Sequence, residues 1–154
     1  AIAARPDVLC YTTPPLDRPI EVTGPIEVRL WAASDAPDTD FTAKLVDVQP
    51  DGTALNLCDG ILRARYHAGF DAPRLLTPGQ AVELAIDLAG TCNVFLPGHR
   101  IRLEISSSNF PRFDRNTNTG ANIATDTEHA TATNTVLHDA SHPSHIILPV
   151  VPIA

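Results

Sequence analysis

Three separate stretches of this chain place an apolar residue at every second position. Ile26-Glu27-Val28-Arg29-Leu30-Trp31-Ala32 puts Ile, Val, Leu and Ala on one face and charge on the other. Val82-Glu83-Leu84-Ala85-Ile86-Asp87-Leu88 and Ile101-Arg102-Leu103-Glu104-Ile105 repeat the pattern. A period of two suits a strand with one face in a core and one in water, so each run predicts a strand of an antiparallel sheet. Weaker strand signals lie at Val8 to Thr12, Phe41 to Val48, Leu55 to Tyr66, Cys92 to Phe95, Thr133 to His138 and Ile146 to Val150. Gln49-Pro50-Asp51-Gly52 reads as a tight turn, in which proline presets φ and glycine accepts the left-handed position. Thr77-Pro78-Gly79 and Leu96-Pro97-Gly98 do the same just ahead of two alternating strands. The best helical window, Ala121 to Ala132, is rich in threonine and holds Ile123 as its one large apolar residue. Roughly eight to ten short strands with almost no helix predict an all-β, two-sheet sandwich, most simply a jelly roll.

The length, 154 residues, suits a single domain spanning 1–154. A chain of this size buries roughly 70% of its unfolded surface and builds a core without metal or disulfide. No apolar run approaches the ~20 residues that cross a bilayer. The net charge is −7, and Lys44 and ten arginines form no basic cluster, which argues against nucleic acid as a partner. Cys10, Cys58 and Cys92 are an odd, widely spaced set without a C-x-x-C pair. They are expected to be reduced and buried, with a Cys58–Cys92 bridge as the alternative. Methionine is absent, the first residues are Ala1-Ile2-Ala3-Ala4, and no charged segment leads into an apolar one. The expectation is therefore a piece or processed product of a longer protein, without a secretory signal of its own and cytoplasmic.

One stretch breaks the pattern. From Ser106 to about Ala132 the chain reads SSSNFPRFDRNTNTGANIATDTEHATA, with no alternation. Structureless loops of that length are uncommon in compact domains and usually carry function or pack against something. Phe110 and Phe113, two of only five phenylalanines, predict that its first half is packed.

The chain lacks the signatures of a self-contained enzyme. No two of its eight glycines are closer than eight residues, which excludes G-x-S-x-G, G-x-G-x-x-G and the P-loop together. Ser106, Ser107 and Ser108 could meet a histidine only through the fold, with no elbow to expose a nucleophile. His138, His142 and His145 fall within eight residues. Pro143 among them suggests a turn into the last strand rather than a metal site, and His67 and His99 read as edge residues. Asp35, Asp38 and Asp40 could in principle offer calcium oxygens. Pro37 divides them, though, and the plainer reading is turn capping on a soluble loop. No metal or cofactor is expected. Trp31 lies on the Glu27–Arg29 side of its strand and is the one candidate platform for a carbohydrate or similar ligand.

The segments LWAASDAPDTDFTAKLVDVQPDG (30–52), LCDGILRARY (57–66), PGHRIRLEISSSNFPRFDRNTNTG (97–120) and HDASHPSHIILPV (138–150) together resemble one family. It is the C-terminal β-sandwich domain of X-Pro dipeptidyl-peptidases and cocaine-esterase-like serine hydrolases. The resemblance runs from about Asp7 to Pro152. It implies a jelly roll of the galactose-binding-like kind that follows an α/β-hydrolase domain and a helical cap. The serine triad of such enzymes belongs to the hydrolase domain, so no catalytic residue is assigned here. The implied role is that of an accessory module that buttresses the hydrolase and cap domains, with pairing to a copy of itself through an edge strand as a further option. The alternative is an independent ligand-binding sandwich. In the accessory reading Phe110, Arg112, Phe113 and Arg115 are expected to dock other domains. Asn109, Asn116 and Asn118 are expected either to join them or to bond the loop's own backbone. Asp114 is expected to pair with Arg112 or Arg115 inside the loop.

Overall fold

The computed structural model describes residues 4–152. Among the described residues nine strands are formed: β1 Leu9–Thr12, β2 Ile20–Ser34, β3 Asp40–Val48, β4 Ala54–Arg63, β5 Val82–Phe95, β6 Arg100–Ser106, β7 Asn134–Leu137, β8 His145–Ile147 and β9 Val150–Val151. A 3-10 turn, Ala64–Tyr66, closes β4, and no α-helix occurs among the described residues, the Ala121–Ala132 window included. The strands make two antiparallel sheets facing each other as a jelly-roll sandwich. One sheet has the order β1-β6-β3-β4; in the other, β2 pairs with β5 along one edge and with β7, β8 and β9 along the other.

The alternation of β2 explains its length. Val22, Ile26, Val28, Leu30 and Ala32 all face inward and are fully buried, so one parity holds along the strand. Its partner β5 does not keep one parity. Leu84, Ile86 and Leu88 face the core, but Phe95 faces it too, seven residues after Leu88. The change is made by a β-bulge: Pro25 pairs with Gly90 and Glu27 with Asp87, so Leu88 and Ala89 together oppose Ile26. Ala89 takes the left-handed conformation this requires, with φ 62°. The runs Val82–Leu88 and Cys92–Phe95, distinct in the sequence, are therefore one strand. At the other end of the chain the reverse holds: Ile146–Val150 is two strands, interrupted at Leu148 and Pro149.

The same bulge corrects the expectation for the cysteines. Cys92 follows the change of parity and points outward, Cys10 lies on the exposed edge strand β1, and Cys58 is half-buried. Cys58 and Cys92 are thiols and do not bridge. Burial, with the neighbouring Asp59 charge, pushes the Cys58 thiol pKa up.

The three turns read from the sequence are present, with Gly52, Gly79 and Gly98 at φ 88°, 79° and 82°. The Gly52 amide donates to the Gln49 carbonyl and the Gln49 amide to that of Thr53, closing the β3–β4 hairpin. His99 is more than an edge residue: its Nδ1 lies 2.9 Å from the largely buried Asp47 carboxylate and ties the turn before β6 to the end of β3. The Gly52 and Gly98 turns share one end of the sandwich, whereas the Gly79 turn sits at the other, its amide donating to the Ser34 carbonyl. The opposite end gathers residues 5–8, 34–40, 63–81 and 106–133, and the long loop belongs to it.

Candidate functional site

β3 is buried on both faces, which the sequence does not foretell. Phe41, Ala43 and Leu45 face the core, as β3 runs between β4 and β6. On the outer face Asp40 and Thr42 are also buried, and Lys44 is half-buried. The first half of the long loop covers this outer face. Ser106 Oγ lies 2.6 Å from Thr42 Oγ1, and Lys44 Nζ donates to Asn109 Oδ1 at 3.0 Å. Asn109 Nδ2 donates to Asp59 Oδ2 at 2.7 Å, and Arg112 forms an ion pair with Asp59. The loop is held by charge and amide groups, not by its phenylalanines. Phe113 is half-buried under the Arg112 guanidinium, whereas Phe110 is 60% exposed, against the expectation that both pack.

The second anchor is an ionic knot around two buried carboxylates. Asp38 Oδ1 accepts the Arg65 amide at 3.0 Å, and Oδ2 accepts Arg65 Nε at 2.9 Å. Asp40 Oδ1 accepts Arg63 Nε at 3.0 Å. Asn116 Nδ2 reaches both aspartates, 3.0 Å from Asp38 Oδ2 and 2.8 Å from Asp40 Oδ1. Arg65 then donates to the Ala121 carbonyl, so one arginine joins β4, the β2–β3 connection and the loop. Asp38 and Asp40 are thus neither calcium ligands nor solvating groups on a loop. Their charge is matched by two arginines, and the matching is what permits complete burial. Asp35 caps the loop's exit, accepting the Thr133 amide at 2.7 Å. Among the described residues no three His, Cys, Asp or Glu side chains converge where a metal could sit.

Within the loop, Asn118 takes φ 63°, its amide donates to Asn116 Oδ1, and its Nδ2 donates to the Ala130 carbonyl. Asp126 accepts the hydroxyls of Thr119 and Thr117 and the Glu128 amide, which hold its carboxyl below the usual aspartate value. Asp114 does not pair as expected. Arg112 is taken by Asp59 and Arg115 stacks over the Phe110 ring, 5.1 Å from its centroid. Among the described residues Asp114 forms an ion pair with neither.

Asp59→Ala is expected to free Arg112 and Asn109 together and lift residues 109–116 off β3. Arg112 is mostly exposed, so the cost to global stability is about 1–2 kcal/mol. Amide exchange checks it: residues 109–116 should lose protection while β2 and β5 keep theirs.

The serines are occupied by structural bonds. Ser107 Oγ lies 2.7 Å from Asn134 Nδ2, Ser108 Oγ accepts the Phe110 amide, and Ser106 bonds Thr42. Among the described residues no serine hydroxyl is hydrogen-bonded to an imidazole. The clustered histidines diverge: His138 meets Tyr11 edge-on, His142 bonds Asp139, and His145 bonds the Pro143 carbonyl. Trp31 is half-buried, edge-to-face with His142 at 5.1 Å, and its amide donates to Ser144 Oγ. Between the edges formed by β1–β6 and β7–β8 the sandwich is open along an apolar groove of about 420 Å³, with Tyr11 and His138 at its mouth. Periodicity cannot reveal a groove that arises from two sheet edges failing to meet.

The chain matches the family model described as the X-Pro dipeptidyl-peptidase C-terminal non-catalytic domain over residues 1–147. It is 55% identical to cocaine esterase of Rhodococcus sp. (strain MB1 Bresler) over 149 residues, which are 96% of this chain and 26% of that protein. Among solved structures, an aminopeptidase from a marine-sediment Thaumarchaeota archaeon superimposes with a TM-score of 0.94 at 34% identity, covering 98% of this chain and 27% of that one. An α-amino acid ester hydrolase superimposes equally well, with a TM-score of 0.94 at 34% identity over 97% of this chain and 26% of its own. The chain therefore spans about a quarter of the length of these relatives. With its two-sheet fold, its roofed β3 and its serines held in structural bonds, this chain belongs to the X-Pro dipeptidyl-peptidase C-terminal non-catalytic domain family.

Proposed function

We propose that this domain is the accessory C-terminal module of a serine hydrolase that cleaves esters, and that it buttresses the catalytic and cap portions of that enzyme. The observation that carries the reading is the 55% identity to a cocaine esterase along 96% of this chain. Identity at that level extends to the module's surface as well as its core, so the module is suited to the same kind of neighbour. The α-amino acid ester hydrolase supports the ester reading from a second direction, at 34% identity and the same fold. The aminopeptidase, equally similar in fold, supports a module that serves enzymes cleaving different bonds. Its contribution is mechanical: a rigid sandwich with a polar-anchored loop that presents a fixed surface to the domains beside it.

The test compares the 154-residue chain with the full-length protein that carries it. Both are assayed on p-nitrophenyl esters and on Xaa-Pro p-nitroanilides, with a fluorophosphonate probe for an activated serine. Ester turnover and labelling by the full-length protein alone is the expected result. Labelling of the isolated chain would overturn the accessory role, and preferential cleavage of Xaa-Pro anilides by the full-length protein would overturn the ester assignment.

A further inference from the structure

The loop-bearing end of the sandwich carries a surface that its own packing does not use. Among the described residues Phe70, at 77%, is the most exposed large apolar side chain, and Phe110 follows it at 60%. A hollow of about 800 Å³ lies at this end, with Arg63, Tyr66, Arg115 and Ile123 in its walls beside Asp114 and Asp126. On one rim the Tyr66 and Phe70 rings lie against each other, with centroids 5.3 Å apart. On the other rim Arg115 lies over Phe110. Arg115 has no carboxylate partner among the described residues, whereas Arg63, Arg65 and Arg112 are each paired.

Two further facts say what this surface meets. The foundation beneath it is rigid, because Asp38, Asp40 and Asp59 pin the loop to β3 and β4. Rings held in place lose little freedom when they are covered, and aromatic rings with arginine dominate the energy of buried contacts. The second fact is the path of the chain. Arg5, Asp7 and Val8, the approach to β1, line the polar hollow next to Phe110 and Arg115. The family is described as a C-terminal domain and the chain spans about a quarter of its relatives, so in a protein of their length the other domains join the module at this end. The far end exposes Leu55, Leu96 and Val150, which are aliphatic, and it lies a full strand length from that entry point.

We propose that the face formed by Tyr66, Phe70, Phe110 and Arg115 docks the hydrolase portion of the same polypeptide, through an apolar counter-surface with a carboxylate facing Arg115. This rests on the accessory-module reading above and adds to it the face and the chemistry of contact. It also moves the docking role away from Arg112 and Phe113, which are engaged inside the domain, and toward Tyr66 and Phe70, which the loop sequence does not contain.

Hydroxyl-radical footprinting of the full-length protein and of the 154-residue chain tests it, with Leu55 and Leu96 as references on the far end. Oxidation of Phe70 and Phe110 is expected to fall about fivefold or more in the full-length protein, the change that follows when exposed rings become buried. The references should be unchanged. Arg115→Glu in the full-length protein should restore much of the labelling, since it sets a like charge against the facing carboxylate. Equal labelling of Phe70 and Phe110 in both proteins overturns the proposal, and so does protection that appears at Leu55 and Leu96 instead. Ester turnover is read on the same samples. An active esterase with unprotected rings would sink the docking face and leave the accessory role standing. Protected rings in a protein without esterase activity would support the docking face and sink the ester assignment.

Discussion

Gly60→Ala is expected to destabilise this domain by at least about 3 kcal/mol, a large share of the roughly 5–15 kcal/mol that holds a domain folded. Gly60 is buried in β4, opposite Ala43 on β3, where the sheet crosses over β5. A Cβ placed there would lie 2.0 Å from the Asp87 carbonyl oxygen and 2.9 Å from its carbon. Both are backbone atoms of a strand bonded along its length to β2, so no rotamer change relieves the contact and the sheets must separate. Separation costs contacts across the core, because Leu84, Ile86 and Leu88 lie on the same stretch of β5. Gly52→Ala is the control. Gly52 has φ 88° but nothing within 4 Å of an added Cβ, so it should cost only the conformational strain of about 1–2 kcal/mol. Urea unfolding of the two variants checks the order. If Gly60→Ala unfolds no earlier than Gly52→Ala, the sheets do not meet as closely as described.

Asp38→Ala is expected to cost about 3–5 kcal/mol, the penalty for leaving a mostly buried charge without its partner. Asp38 is 0% exposed and accepts from the Arg65 backbone, the Arg65 side chain and Asn116 at once. Removing it leaves the Arg65 guanidinium without its carboxylate and the Arg65 backbone amide without its acceptor, and it unties the loop near Ala121. Asp38→Asn should cost less, since an amide oxygen can still accept one of these bonds. Thermal unfolding gives the magnitudes, and amide exchange at residues 116–121 reports the loop. The account fails if Asp38→Ala proves no worse than Asp59→Ala, whose arginine is largely in water.

The periodic strands were legible because their cause is local. A residue on β2 or β6 alternates in polarity because its neighbours two positions away share its face, and that relation needs no knowledge of the partner strand. The turns at Gly52, Gly79 and Gly98 were legible for the same reason: φ is a property of one residue. The family resemblance was likewise written in the residues, along nearly the whole chain, and carried with it the accessory nature of the domain.

What the sequence could not show depends on which strand lies beside which. The bulge that puts Leu88 and Ala89 opposite Ile26 joins two apparent strands into one and turns Cys92 outward, because it is set by pairing with β2. The burial of Asp38 and Asp40 arises from Arg63 and Arg65, about twenty-five residues away, and from Asn116, more than seventy away. Seen alone, SDAPDTDF has the charge of a solvated loop. The long loop was visible as a break in pattern, but its target was not, since its bonds run to the outer face of β3, which reads as an ordinary strand. Local polarity and backbone preference thus settled most of the strands and the turns, and the residue motifs carried the kinship. Only the tertiary structure decided which charges are buried, which face the loop covers and which aromatic rings remain in water, because a charge is buried only where the fold brings it a partner.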